Sequence, residues 1–455
     1  MVKLLQEWTM ASDDEVVRSD YLEIDDEGNH SAPSRDIDGT IEDEFSNGSS
    51  IDVLIKGVSG LIVFLSVSII LLWATYQSAD ITFGGPPQSL QLWEDQYREM
   101  TGLDEVNYLD GNGVGLCIVD TGIDASHPDL KSANIVAWVD LISGVESPYD
   151  DEGHGTAMAG IISSKGGLNG VSPGVDLLVA KAISDDGSGT DSNIADAVDW
   201  CVTEGADVIS LSLGGSQGFG SGLFTTDELE EAVIDAIDSG VFVVAAAGND
   251  GENDDGDVES PGSVEDVICV GAITRTGNVW SGSSEGDNNG RIWPNPILPR
   301  QDPDKKPEVV APGHEVPILM ASSTGSGTWW GWSSGTSAAT AWVSGSIAIF
   351  LEANPEMKRG GSQGGSTAIS NLKSMISQNS EMKDGQEGHD DNFGYGILRI
   401  DFLVNNSDNT STGLHDDLEI SELQNDASEY TANGTQAIRR ITASVPPLSS
   451  TKDME

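Results

Sequence analysis

Four short segments, in a fixed order along the chain, hold residues that could do chemistry together. Asp120 lies in Val119-Asp120-Thr121-Gly122, His154 in Gly153-His154-Gly155-Thr156, Asn249 in Ala247-Gly248-Asn249 and Ser337 in Gly335-Thr336-Ser337-Ala338. An acid, a base, an amide donor and a hydroxyl are what acyl transfer through a serine nucleophile requires. Asp120 follows the apolar run Leu116-Cys117-Ile118-Val119. A carboxylate at such a strand end could accept the Nδ1 proton of a histidine and fix its tautomer, although an Asp there serves equally well as a turn residue. His154 sits between two glycines at the head of a helix-like stretch, where small neighbours leave the imidazole clear. His30, His127, His314, His389 and His415 lack that setting and read as surface or structural residues. Asn249 ends the apolar run 241–247 and could offer a side-chain N–H to a developing oxyanion. Any one of these segments is weak by itself. Together and in order they specify a reaction class.

The elements that must hold these residues can be read from hydrophobic pattern. Apolar runs at 115–119, 134–141, 177–182, 207–213, 241–247 and 267–273 predict buried strands. Amphipathic stretches near 191–204, 226–239 and 366–378 predict helices, with another opening after His154 and one after Ser337. Strands alternating with helices imply an α/β fold, a parallel sheet with helices on both faces.

With the order Asp, His, Ser, the chain resembles the subtilisin-like serine proteases (subtilases) over roughly residues 106–403. The resemblance implies Ser337 as nucleophile at a helix N-terminus, His154 as base, Asp120 as its orienter and Asn249 as oxyanion donor. It implies that Ser212-Leu213-Gly214 pairs with an extended substrate backbone. It also aligns Glu259 with the floor of the first specificity pocket and Asp250 with its rim, so that two acids would favour a basic P1 side chain. Both flank an acidic loop, 250–259, that could equally be solvated or hold structural calcium. The chemistry itself requires no cofactor and no metal ligand is assigned. After Ser337 the run Ala338-Ala339-Thr340-Ala341-Trp342 departs from the family's Met, Ala, small residue, Pro, His. Trp329, Trp330 and Trp332 either wall a substrate groove or pack an insertion.

Outside that region the chain is organised by charge and one apolar segment. Seventy-five acidic against 21 basic residues give a net charge of −54, which repels nucleic acid and anionic headgroups and leaves polypeptides as the expected partners. Residues 1–52 read as an acidic disordered segment, 53–76 as a transmembrane signal anchor, 77–105 as a linker, 106–403 as the peptidase domain and 404–455 as a flexible polar tail. The stretch 57–76 carries no charge and is long enough to cross one bilayer core. Lys56 abuts one end and Trp73 and Tyr76 mark the other, which places the N-terminus in the cytoplasm and the catalytic domain outside the cell. Three cysteines, Cys117, Cys201 and Cys269, are an odd number without metal-ligand spacing and read as free, buried thiols. The competing function is an inactive, membrane-anchored peptide-binding module that retains the fold. Every catalytic position is filled, which argues against decay.

Overall fold

The computed structural model describes residues 48–78, 85–214, 228–251, 257–289 and 298–411. The chain divides into two units, residues 1–81 and 82–455. The first contains helix α1 (Gly48–Ser78). Its side chains are described over 56–71, where the consecutive residues Leu61 to Leu65 are all exposed. Five consecutive helical positions cover every side of the cylinder. Among the described residues no helix is long and apolar enough to cross a membrane. The span expected over 53–76 falls within α1, its side chains described only over 56–71, whereas most of the acidic segment and of the polar tail lies outside the described residues.

The second unit runs α2 (Gln88–Thr101), β1 (Gly115–Asp120), β2 (Asn134–Asp140), α3 (His154–Ser163), β3 (Asp176–Lys181), α4 (Asp191–Thr203), β4 (Val208–Leu211), α5 (Glu228–Asp238), β5 (Phe242–Ala246), β6 (Ile268–Ile273), β7 (Val309–Pro312), β8 (Val316–Leu319), β9 (Trp330–Ser333), α6 (Thr336–Ala353), α7 (Ser366–Asn379) and α8 (Ile400–Ser411). The first seven strands form one parallel sheet in the order β2-β3-β1-β4-β5-β6-β7. Every residue of β4 to β7 is buried, which demands cover on both faces. One layer is α4 packed on α5, against β1, β3 and β5. The other is α6, lying along β1 and β4 to β7 with α3 beside it. The chain passes from β1 to the edge strand β2, comes back to lay β3 between them, and then places β4 on the other side of β1. Between β1 and β4 the winding direction reverses, and the crevice beyond their carboxyl ends is where such sheets hold ligands.

Helix α6 is buried almost throughout, from Ala338 to Leu351. Its sequence permits this. Ala338, Ala339, Ala341 and Gly345 allow close approach, and the buried hydroxyls return to carbonyls one turn back: Thr340 to Thr336 at 2.9 Å, Ser344 to Thr340 at 2.8 Å, Ser346 to Trp342 at 2.9 Å. Three lysines are also fully buried and paired. Lys306 and Lys373 both contact Glu308 Oε1, at 2.8 and 2.9 Å. Lys181 donates to Asp151 at 2.7 Å and to the carbonyls of Thr121 and Ile183 at 2.6 and 2.9 Å. Each ammonium is satisfied, as burial of charge requires.

Two expectations are corrected. Cys117 and Cys201 form a disulfide that ties α4 to the interior strand β1, with 5.9 Å between their Cα atoms; only Cys269 remains a buried free thiol. The two lie 84 residues apart, so only the packing of α4 on β1 brings them together. The segment 77–105 is not simply a linker: α2 occupies Gln88–Thr101, ends on Gly102 in the left-handed region (φ 70°), and buries Leu90, Glu94, Tyr97 and Thr101. Among the described residues no group of three or more His, Cys, Asp or Glu side chains could hold a metal ion, and residues 252–256 of the acidic loop lie outside them.

Candidate active site

A cleft of about 350 Å³ opens where the β1–β4 crevice meets the N-termini of α3 and α6. Asp120, His154, Ser212, Leu213, Gly214, Asn249, Glu259 and Ser337 all line it. Asp120 is the last residue of β1 and is buried. Its carboxylate oxygens lie 2.8 and 2.9 Å from His154 Nδ1, and Oδ1 also accepts the Thr121 N–H at 2.7 Å. Burial works against a charge on His154. The adjoining Asp120 carboxylate, its hydrogen bond, and the charges of Glu152 and Asp150 overcome that and push the pKa up to about 9. The imidazole is still 36% exposed to the cleft.

A polar latch sets the entry of α3. Asp150 accepts the Gly153 N–H at 2.8 Å and the Thr156 N–H at 2.9 Å, capping the free amides of the first turn. Its Oδ1 also accepts the Thr121 hydroxyl at 3.0 Å, and that hydroxyl oxygen accepts the Gly155 N–H at 2.8 Å. Asp150 and Thr121 therefore join the end of β1 to the start of α3, fixing Asp120 and His154 relative to each other. Contact is so close that a Cβ on Gly155 would stand 2.2 Å from the Gly122 carbonyl oxygen. Only glycine fits there.

Ser337 is the second residue of α6 and half-buried. Its hydroxyl donates to the Ser212 main-chain carbonyl at 3.0 Å, and Ser212 Oγ donates to the Ser337 carbonyl at 3.1 Å. No hydrogen bond joins Ser337 to His154 in this structure. Asn249 is exposed just beyond β5, and its orientation is settled by Thr336: Oδ1 accepts the Thr336 N–H at 2.9 Å and hydroxyl at 3.1 Å. With the oxygen so engaged, Nδ2 is the free end. The Thr336 hydroxyl also bonds the Gly248 carbonyl at 3.1 Å, locking the β5 terminus to the head of α6.

The other expected residues divide. The Glu259 side chain sits between Gly214 and Gly248, since a Cβ on either glycine would fall 2.0 Å from Glu259 Oε2 or 2.7 Å from its Cδ. Asp250 is exposed and does not line the cleft. The tryptophans are not a cleft wall. Trp330 is buried and donates from Nε1 to Asp129 at 2.7 Å, Trp329 stands edge-on to His127 with centroids 5.1 Å apart, and Trp332 is 55% exposed; none of them lines the cleft. Glu152, Ile183 and Gly187 line it without having been anticipated, nor were Asp150, Thr121 and Thr336 anticipated as positioning residues. The signals for the last group were present but faint: an Asp three residues ahead of a Gly-His-Gly helix entry, and a Thr inside each of two motifs.

Comparison with known proteins gives the family. The model of the subtilase family matches residues 111–396. The chain is similar to serine protease AprX of Bacillus subtilis (strain 168), 34% identical over 55% of this chain and 59% of that protein. It is similar to subtilisin DY of Bacillus licheniformis, 35% identical over 54% of this chain and 80% of that protein. An intracellular serine protease of Paenibacillus polymyxa is 34% identical over 56% of this chain and 71% of its own length. Coverage of these relatives thus runs from 59% to 80%, with the first below two thirds. The chain belongs to the subtilase family of serine-type endopeptidases.

Proposed function

We propose that this protein is a serine endopeptidase working through Asp120, His154 and Ser337, tethered by a single membrane span with its catalytic domain outside the cell. The observation that carries the catalytic reading is the convergence of a buried carboxylate, an imidazole bonded to it at 2.8 Å, an oriented amide and a helix-head serine on one cleft. Rotation about the Ser337 Cα–Cβ bond takes the hydroxyl from the Ser212 carbonyl to His154 Nε2. As Oγ attacks the scissile carbonyl carbon, its proton passes to Nε2, and Asp120 stabilises the imidazolium that forms. Asn249 Nδ2 and the Ser337 N–H hold the oxyanion of the tetrahedral intermediate. The C–N bond breaks with the proton delivered to the leaving amine, and water repeats the sequence on the acyl-enzyme.

Substrate backbone pairs along Ser212-Leu213-Gly214, and the Glu259 carboxylate at the cleft floor favours a basic P1 side chain. The tether reading is supported by the uncharged stretch 57–76, by the exposed apolar residues of α1 and by Lys56 at one end with Trp73 and Tyr76 at the other. The buried Cys117–Cys201 bond supports an oxidising compartment for the catalytic domain. A fluorophosphonate probe tests the chemistry: covalent labelling at Ser337 is expected, and an unlabelled folded protein would instead be a peptide-binding module. Carbonate extraction tests the tether, which fails if the chain appears in the supernatant.

A further inference from the structure

Helix α2 lies outside the cleft, yet it grips the turn that leads to the nucleophile. Tyr97 is fully buried and its hydroxyl donates to the main-chain carbonyl of His314. Its ring meets Trp342 of α6 edge-on, with centroids 6.2 Å apart. One turn earlier, Trp93 lies 4.1 Å under the guanidinium of Arg275, which is ion-paired with Glu315. Two side chains one turn apart on α2 therefore reach two adjacent residues of the turn between β7 and β8, Tyr97 bonding His314 directly and Trp93 backing the Arg275 that pairs with Glu315.

That turn in turn holds the approach to Ser337. Ser334 Oγ bonds His314 Nδ1 at 2.9 Å and accepts the Glu315 N–H at 2.9 Å. Gly335 N–H donates to the Gly313 carbonyl at 2.8 Å. Residues 313–315 thus take the Tyr97 hydroxyl on one side and residues 334–335 on the other. Next come Thr336, which orients Asn249, and Ser337 itself. The Tyr97 contact with Trp342 bears on the same helix five residues beyond the nucleophile.

We propose that Tyr97 is a positioning residue for the reaction: its hydrogen bond to His314 sets the 313–315 turn that aligns Ser337 and the Asn249 amide, so that α2 completes the active site without touching substrate. The proposal rests on the endopeptidase reading above. Displacement of reacting groups by a fraction of an ångström is costly in turnover, whereas the substrate-pairing edge at 212–214 belongs to a different element. Loss of the hydroxyl should therefore lower kcat and leave KM nearly unchanged.

The test is Tyr97→Phe in the full chain, which keeps the buried ring, with Tyr108→Phe as a control at a tyrosine 70% exposed. Steady-state kinetics on a peptide substrate and the rate of fluorophosphonate labelling are measured, with activity expressed per folded molecule. For Tyr97→Phe, kcat should fall about 5- to 20-fold with KM within about twofold, and labelling should slow in parallel. Arg275→Ala should act in the same direction, and the double variant should lose less than the product of the two, because both act through one turn. Wild-type kcat in Tyr97→Phe, or a loss confined to KM, overturns the proposal while the endopeptidase reading stands. A wild-type protein that neither cleaves nor labels removes both.

Discussion

Reduction of the Cys117–Cys201 bond should destabilise the domain measurably, and the size can be worked from its place in the chain. The cross-link closes a segment of 84 residues. Loop-closure entropy for that length is about 15 cal/mol/K, or about 4.5 kcal/mol at 25 °C. Structure retained in the unfolded chain reduces the effect, so a loss of about 3 to 4.5 kcal/mol is expected. With a guanidinium m-value of about 5 kcal/mol/M for a domain of this size, the midpoint should drop by about 0.6 to 0.9 M. The measurement is equilibrium unfolding of the Ser337→Ala form, which cannot digest itself, with and without a thiol reductant. The Cys117→Ala/Cys201→Ala form serves as the control that reductant should not move. Thiol titration in denaturant should find one thiol before reduction and three after. Three thiols in unreduced protein, or equal midpoints in the two conditions, would refute the reasoning.

Ser337→Ala, His154→Ala and Asp120→Ala should each abolish most peptide hydrolysis, and the Ser337/His154 double variant should be little worse than either, since members of one catalytic unit do not act additively; multiplied losses would mean separate mechanisms. Because His154 must be neutral to act as a base and its pKa is pushed up to about 9, kcat/KM should climb with pH and level off only above that value. Asp120→Asn should move the inflection downward in a pH–rate profile. The same raised pKa means that the proton on His154 contributes to stability fully below about pH 6.5, a contribution lost as pH rises through about 9; thermal midpoints across that window check the sign. A basic P1 residue should be preferred to a bulky apolar one by roughly 10-fold, about 1.4 kcal/mol, and Glu259→Gln should erase most of the preference; a peptide library with Leu or Phe at P1, unchanged in that variant, would show that the carboxylate does not select.

Much of the site was legible because its chemistry is local. Asp120, His154, Asn249 and Ser337 each lie within three residues of the end or start of an element, and apolar runs mark those elements even in one sequence. Strands β1 to β6 fall close to the runs that predict them, whereas β7, Val309–Pro312, follows Lys305-Lys306-Pro307-Glu308 and ends on a proline, which leaves an apolar run of only three residues. Helix α2 was hidden for a different reason. Its buried positions, 90, 94, 97 and 101, have helical spacing, but Glu94 and Thr101 interrupt the apolar stripe. Burial lifts the Glu94 carboxyl to about 7, against the hydrogen bond it accepts from Asn169, and nothing in the local sequence announces such a partner. Cys117 and Cys201 pair through tertiary packing alone. Asp250 adjoins Asn249 in the chain, yet it is exposed and does not line the cleft.

The three interior lysines change how the molecule meets its surroundings. Lys181, Lys306 and Lys373 pair with Asp151, Glu308 and Asp304, so these three of the 21 basic residues present no ammonium at the surface, while acidic residues outnumber basic ones 75 to 21. At long range the net charge of −54 sets the field. It gathers a cloud of small cations, stays dispersed, and is pushed away from membranes rich in acidic lipid. Basic peptides are drawn towards it before any pocket is reached, and salt at physiological strength or above progressively removes that attraction. In a working endopeptidase, encounter rate would then join pocket fit in sorting one substrate from another.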